Sequence, residues 1–89
     1  MRKEFYAKVY GDVDGDLFRQ FAQVKAQSLD VVGYAKNIDL TCVEIVAQGE
    51  EENLKQFAEA ISAGPEDAPV ESLEVEWGKP TGEFSAFEM

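Results

Sequence analysis

Residues 4–10, EFYAKVY, alternate strictly: Phe5, Ala7 and Val9 fall on one side, Tyr6, Lys8 and Tyr10 on the other. A period of two predicts a strand. GDVDGD follows, rich in glycine and aspartate, and reads as a loop. From Leu17 the period lengthens. Leu17, Phe18, Phe21, Val24 and Leu29, with Ala22 among them, make an apolar stripe at helical spacing. VVGYAK (31–36) predicts a second strand, Asn37 to Leu40 a turn, and TCVEIVAQ (41–48) a third strand rich in β-branched residues, broken at Gly49. A second helix begins at Glu50, Glu51 and Glu52, whose carboxylates suit the positive end of a helix. It continues through Leu54, Phe57, Ala58 and Ile61 at i, i+3, i+4, i+7 and stops at Gly64-Pro65. PEDAP (65–69) reads as a loop. SLEVEW (72–77) alternates again, with Leu73, Val75 and Trp77 inward; GKPTG turns, and EFSAFEM reads as a closing strand. The order βαββαβ with a short extra strand predicts an α+β, ferredoxin-like sandwich, an antiparallel sheet with two helices on one face.

Composition narrows what such a domain does. At 89 residues the expectation is one domain over 1–89, large enough for a single core. Histidine is absent and Cys42 is the one cysteine. Ser-His-Asp and Cys-His machinery, an internal disulfide and most zinc or copper sites are thereby excluded. Cys42 reads as a small filler of its strand. No signal-peptide pattern and no stretch of membrane-spanning length stands in the sequence, so a cytoplasmic protein without a membrane partner is expected. The net charge of −10 argues against nucleic acid as a partner. Its distribution qualifies this. Residues 1–40 hold six acids and six bases, whereas residues 41–89 hold twelve acids against Lys55 and Lys79. An anion site in the first half is therefore not opposed by the total charge.

GDVDGDLFR (11–19) invites two opposed readings. Asp12, Asp14 and Asp16 occupy positions 1, 3 and 5 of a calcium loop. The sixth position is Leu17 where glycine is needed, and the twelfth is Gln23 where glutamate is needed, so no metal is expected. The other reading is an anion cradle: a glycine-containing strand-to-helix loop presents backbone N–H groups, reinforced by the helix dipole. Arg19 lies in the first turn, where a cation is unfavourable by the dipole alone and a bound anion would resolve the conflict. Against this, Arg19 has aspartates near enough to pair with, and Asp16 stands where an N-cap would.

The stretch resembles the acylphosphatase signature G-x-V-x-G-V-x-[FY]-R, matched by Gly11, Val13, Gly15, Phe18 and Arg19. The family's G-[WFY]-[VA]-[RK]-N is matched by Gly33-Tyr34-Ala35-Lys36-Asn37, and V-E-x-x-x-x-G by Val43-Glu44 and Gly49. The tail VEWGKPTGEFSAFEM is similar to the family's closing strands. The resemblance implies hydrolysis of small acyl phosphates to carboxylate and inorganic phosphate, without metal or cofactor, by a monomer. It implies that backbone N–H groups across Gly11, Asp12, Val13, Asp14, Gly15, Asp16, Leu17 and Phe18 hold the phosphate. Arg19 would grip the phosphoryl oxygens, and Asn37 would orient the attacking water. Inorganic phosphate would bind as product and inhibitor. The chain departs from the pattern where it has Asp14 for glutamine, Asp16 for valine, an acid at the often basic position of Asp12, and Ile38-Asp39-Leu40-Thr41 for an Asp-Gly turn. Carboxylates beside a phosphate repel it, so a weakened or non-catalytic binding module stands as the alternative.

Overall fold

The computed structural model describes residues 1–13, 15–66 and 69–89; the expectations for Asp14 and for residues 67 and 68 of the PEDAP loop lie outside these. The elements are β1 (Arg2–Gly11), α1 (Leu17–Ser28), β2 (Val32–Asp39), β3 (Cys42–Glu50), α2 (Glu51–Ala63), β4 (Val70–Gly78) and β5 (Phe87–Glu88). They form one five-stranded sheet in the order β4-β1-β3-β2-β5. β1 lies antiparallel between β3 and β4, with Phe5 opposite Ala47 and Trp77, and Val9 opposite Val43 and Leu73.

The alternation read in β1 is the alternation of the sheet. Phe5, Ala7 and Val9 of β1, with Val43, Ile45 and Ala47 of β3, are fully buried on one face. Against that face pack Phe18, Ala22 and Ala26 of α1 and Leu54, Phe57 and Ile61 of α2, all buried. The rings of Phe5 and Phe57 stack with centroids 6.0 Å apart. The other face is polar. There the hydroxyls of Tyr6 and Tyr34 both donate to the Glu44 carboxylate, at 2.6 and 3.0 Å.

Five expectations need correction. The sheet is mixed: β5 pairs parallel with β2 and contains only two residues. Residues 79–86 are drawn instead across the polar face. The Thr81 N–H and hydroxyl donate to Glu4, and the Gln48 side chain donates to Glu4 and to the Gly82 carbonyl. This strap delivers Phe87 into the core beside β2. Trp77 does sit edge-on to Phe5, at 5.3 Å, but β4 is an edge strand and leaves the indole 44% exposed. Val24 and Leu17 of the predicted stripe are exposed, because α1 turns only the Phe18-Ala22-Ala26 line fully inward. Gly49 does not break β3, which pairs with β1 as far as Glu50. 

The last correction concerns the site. Asn37 is not in a turn; β2 continues to Asp39, and only Leu40 and Thr41 turn. Asn37 faces Val43 across the ladder, and the register shifts between Asn37 and Asp39, a bulge at Ile38. Gly33, on the same strand, permits a close approach: a Cβ there would lie 1.9 Å from the Val46 carbonyl oxygen.

Candidate active site

β1 ends at Gly11 and α1 begins at Leu17, so residues 11–16 must reverse direction within a few bonds. Val13 anchors this loop by burying its side chain completely. Gly15 takes φ +77°, a conformation L side chains rarely adopt. Asp16 occupies the N-cap position, yet its side chain caps no N–H of the helix. The first turn of any helix leaves N–H groups without intrahelical acceptors, and here Leu17, Phe18 and Arg19 supply them. The Phe18 side chain is buried in the core, so its contribution to an anion is confined to its backbone. The Gly11 N–H is already committed to the Thr41 carbonyl at 3.0 Å, which removes it from the expected set of phosphate donors.

Arg19 folds back over the loop. Its Nε donates to the Gly15 carbonyl at 3.3 Å, and Nη2 donates to the Asp16 carboxylate. The pairing weighed against the anion reading is therefore present. The Arg19 side chain is 23% exposed and that of Asp16 66% exposed, so the acid lies on the solvent side of the guanidinium.

Asn37 reaches the same place from β2. Its Nδ2 donates to the Val13 carbonyl at 3.1 Å. Only the donor end of an amide can meet a carbonyl, so this bond fixes the side chain's orientation. Its Oδ1 is buried and has no hydrogen-bond partner among the described residues. A buried acceptor left unpaired costs about 1–3 kcal/mol. Arg19 and Asn37 line one open cleft of about 490 Å³ with Gly15, Lys36, Ile38, Asp39 and Leu40. The last four were not singled out from the sequence as site residues; their adjacency to Asn37 was the available signal. A smaller hollow of about 210 Å³, between Tyr6, Lys8, Glu74, Val75 and Glu76 on the polar face of the sheet, includes none of the predicted site residues.

Among the described residues no cluster of three or more His, Cys, Asp or Glu is arranged to hold a metal ion. The cleft is lined by a guanidinium, a lysine, an amide and the Asp39 carboxylate, with the N-terminal end of α1 following Gly15. Positive side chains therefore meet the N-terminal end of α1 at this cleft.

Fold and cleft together define a ferredoxin-like α+β sandwich in which a strand-to-helix loop brings Arg19 beside Asn37. The acylphosphatase family model matches residues 5–89. An acylphosphatase of Thermus thermophilus is 45% identical over 76 residues, covering 85% of this chain and 86% of that protein. One of Caldanaerobacter subterraneus is 34% identical over 87 residues, covering 98% and 97%. The crystal structure of acylphosphatase from Bacillus subtilis superposes with a TM-score of 0.91 at 31% identity, covering 98% of this chain and 97% of that one. The chain belongs to the acylphosphatase family and is a hydrolase of the carboxyl–phosphate bond.

Proposed function

We propose that Arg19 and the N–H groups at the start of α1 hold the phosphoryl group of a small acyl phosphate, and that Asn37 holds the attacking water. The observation carrying this reading is the Asn37 amide, tied by Nδ2 to Val13 and left with a buried, unpartnered Oδ1, on a residue that lines the same cleft as Arg19. A water donating to Oδ1 turns a lone pair toward phosphorus. Its oxygen forms the new P–O bond as the bond to the acyl oxygen breaks, and the carboxylate leaves with that electron pair. One of the water's two protons stays on the new P–OH, and the other passes to a phosphoryl oxygen or to solvent. A carboxylate is a good leaving group, so no histidine or nucleophilic side chain is required; positioning and charge stabilisation supply the acceleration.

Among the described residues no helix is long and apolar enough to cross a membrane. A cytoplasmic monomer acting on a small molecule, with inorganic phosphate as product and inhibitor, accords with this reading.

The experiment is hydrolysis of benzoyl phosphate by the parent protein and by Arg19→Ala. Loss of one such donor lowers turnover by about 10²–10³-fold in comparable sites. Full activity in Arg19→Ala, or none in the parent, refutes the assignment. The Asp16–Arg19 pair favours a second reading, a weakened site in which an internal carboxylate stands in for the ligand anion. It calls for low turnover that rises in Asp16→Val.

A further inference from the structure

The hairpin that carries Asn37 is built in an unusual way. Two-residue hairpin turns ordinarily place Asn, Asp or Gly at positive φ, because that twist matches the strands. Here the turning residues are Leu40 and Thr41, and among the described non-glycine residues only Asp30 has positive φ. The closure is carried by a side chain instead. Asp39 Oδ1 accepts from the Thr41 N–H at 2.9 Å and from the Thr41 hydroxyl at 3.0 Å. A bulge at Ile38 shifts the register just before this turn.

The consequence reaches the phosphate loop. Thr41, held by Asp39, accepts the Gly11 N–H on its carbonyl at 3.0 Å. Asn37, two residues before Asp39, donates to the Val13 carbonyl at 3.1 Å. Hairpin and loop are thus joined at two points, one on either side of Asp39 in the chain and two residues apart in the loop. We propose that Asp39 is a positioning residue for the hydrolysis: by holding Thr41 on Gly11 it sets where Asn37 stands relative to the cradle. Asp39 touches neither phosphate nor water in this scheme. It acts through Thr41 and Gly11 on the distance between the Asn37 oxygen and the phosphorus.

The proposal rests on the hydrolytic reading, so it is tested by two readouts, one of them independent of turnover. In Asp39→Ala, kcat for benzoyl phosphate should fall about tenfold with KM changed by less than about twofold, since small misplacements of positioned groups act on the chemical step. Asp39→Asn keeps an oxygen that accepts both Thr41 bonds and should restore kcat to within about twofold of the parent. Amide hydrogen exchange at Gly11 should quicken about tenfold in Asp39→Ala and return to the parent rate in Asp39→Asn, whether or not the protein turns over. Thr41→Ala, which removes only the hydroxyl bond, should show the same kcat-directed loss in smaller measure. Unchanged kcat or Gly11 exchange in Asp39→Ala overturns the proposal, as does an Asp39→Asn protein as impaired as Asp39→Ala. A parent without turnover that still shows the exchange pattern overturns the hydrolytic reading and leaves the coupling standing.

Discussion

Asp16→Asn isolates the charge that pairs with Arg19. The side chain keeps its shape and loses its negative charge. A phosphate held by the free edge of the guanidinium would have its charge centre about 5 Å from the Asp16 carboxylate, since both share one planar group. At that distance a dianion and a carboxylate repel by about 1.7 kcal/mol in water, and screening at physiological ionic strength reduces this to about 1 kcal/mol. The dielectric of water is appropriate because two thirds of the Asp16 side chain is exposed. Releasing an exposed ion pair adds about 0–1 kcal/mol to what the ligand must overcome. The inhibition constant for inorganic phosphate should therefore fall about 5–30-fold in Asp16→Asn. The measurement is inhibition of benzoyl phosphate hydrolysis by phosphate at 0.05, 0.15 and 1 M ionic strength, on the order of the conditions where the screening length drops from about 14 to 3 Å. The gain should shrink to less than about twofold at the highest salt. A salt-independent gain, or none at low salt, refutes the electrostatic reasoning. The helix should respond in the opposite sense, losing about 0.5 kcal/mol because a carboxylate at its N-terminus is removed.

Three other perturbations test the frame around the site. Burial alone would raise the Glu4 carboxyl, but hydrogen bonds from Gln48 and from the N–H and hydroxyl of Thr81 outweigh it and hold Glu4 below the usual value of 4.5. Its folded pKa is depressed, so its stabilisation is complete above pH 4.5 and lost as pH falls toward the folded value; in Glu4→Gln, chemical denaturation should show about 2 kcal/mol less stability at pH 7 and a smaller further loss on acidification. The Glu44 hydrogen bond, then burial, push the Tyr6 phenol up to about 12, and burial heads the causes raising Tyr10 and Tyr34. The midpoints of phenolate absorbance should therefore lie above the ordinary phenol value, and the stability tied to Tyr6 should hold below pH 10 and fade as pH rises toward about 12; a Tyr6 titrating at its ordinary value would contradict its hydrogen bond to Glu44. Gly33→Ala forces a Cβ into the Val46 carbonyl at φ +140°, so thermal unfolding should fall by about 15 °C for a cost of about 3 kcal/mol.

Local periodicity carried much of the architecture. Strands β1 and β3 and both helices follow from it because their buried faces repeat at the period of the backbone itself. What escaped depended on partners distant in sequence. EFSAFEM has strand-like residues, but Gln48 and Glu4 claim the segment before it as a strap. Trp77 alternates like a core residue, and nothing in its own strand announces that β4 lies at an edge. At the site, Arg19 stood out by its place in the first turn and Asn37 only through the family resemblance; the structure brings the two to one cleft. The pairing of Arg19 with Asp16 was one of two readings a local sequence permits, and only coordinates choose between them. The role of Asp39 was not legible, because it depends on Thr41 meeting Gly11 across the fold.

The strap described above also orders events in time. Glu4 and Thr81 are 77 residues apart, and β1 finds its two sheet partners in β3 and β4, both far along the chain. Such a ladder cannot be assembled from neighbouring pieces; chain closure over that span must be met before its bonds return any stability, which slows folding. The loop after β1 meets the β2–β3 hairpin through Gly11 and Thr41, so its final placement depends on β1 pairing with β3 across the same long separation.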